Sequence, residues 1–159
     1  MSAPFYIFVK NIIMNKINDA LKLHEEGNNC AQAILGAYAH SVDIDPKTAI
    51  KIGAGLGGGL GRKQHICGAV NAGAIILGLK YSNGISGDID SKENVSKIVG
   101  DFVSECEKNL GSVQCKELLK IDLSNPSERM AAKESGLFVK VCNNAIKQSA
   151  IILEKYLTE

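Results

Sequence analysis

The chain has 159 residues, enough to bury one sizeable hydrophobic core without covalent staples. Eighteen basic against 17 acidic residues leave a net charge of +1, so nothing in the charge balance calls for nucleic acid or an anionic membrane as partner. With aromatic residues at 5%, no tryptophan, and an apolar set dominated by alanine, glycine, isoleucine and leucine, the composition suits closely packed helices better than a sandwich of strands.

The opening stretch MSAPFYIFVKNII is apolar, but no basic region precedes its short hydrophobic run and no small-residue cleavage site follows, so it does not read as a signal peptide. It is also too short to span a bilayer. We read residues 1–13 as an N-terminal extension, either flexible or an ordered arm packed on a partner, and residues 14–159 as a single domain. Without an export signal the expected location is the cytoplasm, where thiols stay reduced, so the five cysteines are not expected to form structural disulfides.

Over residues 14–26, Ile17, Ala20, Leu21 and His24 recur at helical spacing, and Gly27-Asn28-Asn29 supplies a stop and a restart. The next helix carries the stripe Cys30, Ala33, Ile34, Ala37 and Tyr38, which puts Cys30 inside the protein in the first turn. Asp45-Pro46 opens a short third helix, with the aspartate as cap and the proline at the first helical position.

That helix dissolves into residues 53–78, GAGLGGGLGRKQHICGAVNAGAIILG, around which the chain is organised. Six glycines fall between Gly53 and Gly61, more than a helix or strand interior tolerates, so this part is a loop. Cys67 then heads an apolar helix of about 12 residues. A thiol at a helix start is pushed toward thiolate by unpaired N–H groups and the dipole, and here also by Arg62, Lys63 and His65 nearby in sequence. Gly53-x-Gly55-x-x-Gly58 matches the dinucleotide fingerprint by letter but lacks its preceding strand and its acidic residue downstream. A phosphate nest using Arg62 and Lys63 is the alternative use of this loop.

Residues 81–90 read as a surface loop. A helix over residues 91–109 buries Val95, Ile98, Val99, Phe102, Cys106 and Leu110, and Gly111 ends it. Ser112 restarts a shorter helix with Cys115 in its first turn. Ser124-Asn125-Pro126 begins the C-terminal part, which Gly136 divides into a short helix and a long one bearing Phe138, Val141, Cys142, Ala145, Ile146, Ser149, Leu153 and Tyr156 on one stripe. No segment of useful length alternates with period two. The fold is therefore read as all-α, a bundle of five to seven helices with one glycine-rich loop.

No Cys-x-x-Cys is present, which removes the common zinc-ribbon, thioredoxin and haem-attachment readings. Buried, inert thiols are the plain alternative. Against it, Cys30, Cys67 and Cys115 all fall at helix N-termini, where one end of the bundle can gather them, while Cys106 lies deep in a helix and takes a structural role. His24 and His40 read as helix-surface or core-edge residues.

Asn29-Cys30-Ala31-Gln32-Ala33, the run Gly57-Gly58-Gly59-Leu60-Gly61-Arg62, Cys67-Gly68-Ala69-Val70, Gly78-Leu79-Lys80-Tyr81, Gly111-Ser112-Val113-Gln114-Cys115-Lys116-Glu117-Leu118-Leu119 and Cys142 together resemble the bacterial C_GCAxxG_C_C family of redox-active proteins, over residues 14–157. The order of letters after Cys67 departs from the family's name. The resemblance implies a small helical protein, largely of anaerobes, with redox or metal chemistry, and a relation to a domain of split-Soret cytochromes. Without Cys-x-x-Cys-His, haem is not implied here. It carries the family's cysteines onto Cys30, Cys67, Cys115 and Cys142.

Four thiolates drawn from four helices suit an iron–sulfur cluster or another metal, or a pair cycling through a disulfide, better than a zinc knuckle. The leading expectation is a redox or electron-transfer protein binding such a centre through these four cysteines. Gly57, Gly58, Gly59, Gly61 and Arg62 would wrap it, and His65 would tune a thiol or add a ligand. The alternatives are a metal-free thiol–disulfide protein with Cys67 as the reactive thiolate, and an anion- or nucleotide-binding module using the glycine loop. The redox partner is unidentified, and whether the protein is an enzyme stays open. A homodimer is expected from Ile151, Ile152 and the apolar N-terminal arm.

Overall fold

The computed structural model describes residues 2–158, which form eight α-helices and, among the described residues, no strand. In chain order these are α1 (Ala3–Glu25), α2 (Cys30–Tyr38), α3 (Pro46–Gly53), α4 (Gly68–Tyr81), α5 (Ile89–Leu110), α6 (Cys115–Leu119), α7 (Pro126–Glu134) and α8 (Leu137–Leu157), with a 3-10 turn at Ala39–Val42. The number exceeds the expected five to seven. Two of the short helices carry their own start signal: Asp45 Oδ2 accepts from Thr48 N at 2.9 Å ahead of α3, and Asn125 Oδ1 accepts from Ser127 N at 3.0 Å ahead of α7.

Stops are as local as starts. Gly111, in the left-handed region at φ 84°, ends α5, and Gly136, at φ 75°, separates α7 from α8.

The main core lies where α1, α2, α4, α5 and α8 meet, around fully buried Tyr38, Ile34, Leu35, Ile76, Leu77, Phe102, Ile146 and Leu153. Helix α4 is apolar nearly all round and sits centrally. Gly73 lets the Phe102 ring of α5 lie against it, since a Cβ there would collide with Cζ. A second, smaller cluster joins Cys115, Leu119 and Leu123 to Leu137, Phe138, Val141 and Cys142. Both clusters contain cysteines, and the site lies between them.

Residues 3–13, set apart in the sequence as an extension, continue α1 without a break, with Phe5, Tyr6, Ile7 and Phe8 all exposed. Further along α1, Lys16 Nζ lies 3.4 Å from Glu154 Oε1 of α8 and 5.2 Å from the Tyr38 ring centroid, joining three helices through a carboxylate that is only 5% exposed. On α8, Ile152 is buried and Ile151 exposed. No described helix is long and apolar enough to cross a membrane.

Candidate functional site

The site begins with a capping box. Asn29 Oδ1 accepts from Gln32 N at 2.9 Å, and Gln32 Oε1 accepts from Asn29 N at 3.0 Å, which fixes Cys30 as the first residue of α2. The Asn29 amide also donates to Gly53 O at 3.1 Å and Ala54 O at 3.2 Å, tying the head of α2 to the end of α3. The Asn-x-x-Gln spacing before an apolar stripe is a readable signal for this cap; the link to α3 has none.

After α3 the chain reverses its hand. Gly58, Gly59, Leu60, Gly61 and Arg62 have φ between 56° and 69°, five successive residues in the left-handed region. Glycine makes three of them cheap, while Leu60 and Arg62 cost on the order of 1 kcal/mol each. Gly61 N donates to Gly55 O at 2.8 Å, Gln64 N to Gly58 O at 2.9 Å, and His65 N to Gly59 O at 3.0 Å. Gly59 is packed so tightly that a Cβ would stand 2.6 Å from His65 N.

Gln64 locks this turn in place. Buried, and itself at φ 60°, it donates Nε2 to Ile121 O at 2.8 Å and accepts at Oε1 from Leu123 N at 3.0 Å. Next to it the backbone pairs with the segment before α6. Cys67 N donates to Val113 O and Cys115 N to His65 O, both at 2.7 Å, on either side of an isolated antiparallel bridge between Ile66 and Gln114. These bonds hold the starts of α4 and α6 side by side, so Cys67, the residue capping α4, and Cys115, the first residue of α6, share one end of the protein.

Cys30 comes to the same point from α2. Its sulfur lies 2.6 Å from where a Cβ on Gly68 would stand, so it rests on the first turn of α4. The Cys67 thiol hydrogen-bonds to it, and the N–H groups of Ala69, Gly58 and Ala31 point at it as well. Together these bonds outweigh burial and lower the Cys30 pKa to about 7. Cys67 moves the other way: its proton is held by Cys30, and burial and the charge on Cys30 oppose a second thiolate beside the first. The helix dipole had pointed to Cys67 as the thiolate. The difference arises because Cys30 collects N–H donors from three separate elements.

Cys30 and Cys67 line a cavity of ≈ 780 Å³ together with Cys115 and Cys142. Burial pushes Cys115 up to about 11 and Cys142 up to about 12, and the charge on Cys30 adds to both shifts. Leu118, Leu119, Leu123, Phe138 and Val141 form an apolar wall. Among the described residues, the other ionisable side chains lining the cavity are His24, Arg62, Arg129 and Lys133, with no carboxylate. His24 Nδ1 lies 2.7 Å from Asn143 Oδ1, and Arg129 Nη1 donates to Leu123 O at 2.7 Å. Arg129 and Lys133, one turn apart on α7, were not singled out in the sequence.

Of the glycines and their neighbours proposed to wrap the centre, Gly57, Gly58, Gly61 and Arg62 line this cavity. Gly59 is buried behind it, and the exposed His65 contributes backbone bonds rather than a lining side chain. Cys106 lies elsewhere, fully buried in α5, its thiol pushed up to about 12 by burial.

Among the described residues, no three histidine, cysteine, aspartate or glutamate side chains stand together as ligands for a metal ion. The arrangement therefore does not fit a mononuclear metal site. Four cysteines line one cavity, and among the described residues no carboxylate lines it with them; these four are the residues that would hold a larger thiolate-bound cluster.

Compared with known proteins, residues 28–156 match the model of the family described as "Putative redox-active protein (C_GCAxxG_C_C)". No curated protein and no solved structure matches the chain.

Proposed function

The chain belongs to the C_GCAxxG_C_C family, and from that membership we propose that it is a thiol-based redox protein whose working pair is Cys30 and Cys67. One observation carries the reading: Cys30 and Cys67 are buried together at the heads of α2 and α4, with the Cys30 sulfur resting on Gly68, a setting that favours the thiolate at Cys30 and the protonated thiol at Cys67. That is the division of labour a dithiol needs. The thiolate is the attacking sulfur, and its partner resolves the resulting mixed disulfide. Oxidation joins the two sulfurs and releases two electrons and the thiol protons to an acceptor. Five free cysteines suit a reducing compartment, and we place the protein in the cytoplasm.

The test is mild oxidation of anaerobically purified protein followed by peptide mapping. A Cys30–Cys67 disulfide is expected, and Cys30→Ser and Cys67→Ser should each abolish it. Scattered disulfides, or none, would refute the pairing.

A second reading is favoured by the convergence of all four thiols on one cavity. Cys30, Cys67, Cys115 and Cys142 would hold an iron–sulfur cluster, which would supply one-electron transfer. The backbone N–H groups at Cys30 and the cations Arg62, Arg129 and Lys133 would offset its negative charge. Iron, acid-labile sulfide and a visible absorption band in protein purified without oxygen, all lost in Cys115→Ser and Cys142→Ser, would support it. Colourless, iron-free protein would leave the dithiol.

A further inference from the structure

We infer that the four-thiol cavity takes a small anionic disulfide, one carrying carboxylate or phosphate groups, whose charge is held by Arg62, Arg129 and Lys133. The inference rests on the dithiol reading and adds the substrate class.

Three observations on the same cavity converge. Among the described residues its lining contains three cations and a histidine but no carboxylate, although the chain as a whole is almost neutral. The ion pairs among the described residues join Lys16 to Glu154, Lys97 to Asp101 and Lys155 to Glu105, so none of the three cavity cations is neutralised by a neighbour. Arg129 is held in place through its bond to Leu123 O, and among the described residues the rest of its fork of donors meets no protein acceptor.

The bias extends outward. Arg62 also lines an adjoining cavity of ≈ 610 Å³, where it is joined by Lys63, Lys116 and Lys120 against the carboxylates of Asp122 and Glu128. The volume of the thiol cavity is that of a small-molecule site, and its leucine, phenylalanine and valine wall suits the carbon skeleton of such a ligand.

The chemistry balances as a single turnover. The Cys30 thiolate attacks one sulfur of R–S–S–R, the substrate S–S bond breaks, RS⁻ leaves, and a mixed disulfide forms on Cys30. Cys67 gives up its proton to the departing thiolate and attacks the Cys30 sulfur, which forms the Cys30–Cys67 bond and expels the second RS⁻, protonated from solvent. The substrate gains two electrons and becomes two thiols; the protein dithiol loses two and becomes a disulfide.

The experiment measures rates of oxidation of the reduced protein by three disulfides of similar size: dithiodipropionate, a dianion; hydroxyethyl disulfide, neutral; and cystamine, a dication. Each rate is normalised to that of mercaptoethanol with the same disulfide. The normalised rate should be at least about tenfold higher for the dianion than for the dication, and the ratio should fall with added salt. Lys133→Gln, on the exposed face of α7, and Arg62→Gln should each lower that ratio. A ratio near one, with the Cys30–Cys67 disulfide still forming, would overturn the substrate class and leave the dithiol reading standing. No reaction with any of the three would overturn both.

Discussion

The sulfur of Cys30 occupies space that only a glycine at position 68 leaves free, since a Cβ on Gly68 would stand 2.6 Å from it. Leu56 O at 3.0 Å and the Ala31 Cβ at 3.2 Å close the other sides. Gly68 is helical, so its replacement acts through space alone. Gly68→Ala should destabilise the protein by about 1–3 kcal/mol and move the Cys30 sulfur off the N–H cradle, raising its pKa. Urea unfolding and thiol labelling against pH test both effects, and wild-type behaviour in both would contradict this packing.

Labelling also tests the thiolate itself. The fastest-reacting cysteine should be Cys30, with a midpoint near pH 7, and Cys67→Ala should shift that midpoint upward by removing the donor to its sulfur. The linkage has a definite sign. The folded pKa of Cys30 lies below its unfolded value of 9.0, so its contribution to stability is full above pH 9 and is lost as pH falls through 7. In Cys30→Ala, stability should rise less steeply between pH 7 and pH 9 than in the wild type.

Cys106 predicts the opposite slope. Burial raises its pKa from 9.0 to about 12, so its contribution is full below pH 9 and is lost as pH rises toward 12. Cys106→Ala should cost stability at neutral pH through the space it leaves, yet lose less on going from pH 9 to pH 11. Denaturant midpoints across that range decide it, and parallel curves for the two proteins would rule it out.

The Lys16–Glu154 pair carries a different risk. Lys16→Met leaves a carboxylate that is 5% exposed without its cation, which should cost about 1–3 kcal/mol, less than for a fully buried pair because water reaches the Lys16 side chain, a quarter of which is exposed. Adding Glu154→Gln to Lys16→Met should recover part of the loss. If the double variant is no more stable than Lys16→Met alone, the stranded charge is not the cause.

Gly59→Ala tests the reversed turn. A Cβ there meets backbone on two sides, His65 N at 2.6 Å and His65 O at 2.7 Å, at a φ of 67° that side chains rarely adopt. The expected loss is about 2–4 kcal/mol, together with faster labelling of Cys115, whose N–H is held by His65 O. Unchanged stability would mean that the turn relaxes freely.

Much of the helical order was legible because its signals are local. Asp45-Pro46, Gly111, Asn125-Pro126 and Gly136 act on their own neighbours, and each lies at a helix boundary in the structure. The helix-start positions of Cys30, Cys67 and Cys115 could be read for the same reason. What could not be read depends on distant backbone. The ordering of the Cys30 and Cys67 acidities rests on N–H groups of Gly58, Ala31 and Ala69, which no spacing rule brings together. The clamp made by Gln64, and the cations Arg129 and Lys133 on α7, reach the site only after residues 64–67 pair with residues 113–116. The N-terminal part of α1 was masked by composition, because the consecutive exposed residues Phe5, Tyr6, Ile7 and Phe8 lack the one-sided spacing that betrays helices in sequence.

The reversed turn at Gly58–Arg62 gives the site a mechanical character. Gly58 directs its N–H at the Cys30 sulfur from the first residue of a strained segment, and Arg62 ends that segment in the walls of two cavities. Protonating Cys30 weakens the acceptor that faces the segment's first residue, while the conformational cost of Leu60 and Arg62 remains. The segment therefore reaches from a buried sulfur at one end to a surface arginine at the other, and four residues of backbone join the thiol to the walls of both cavities.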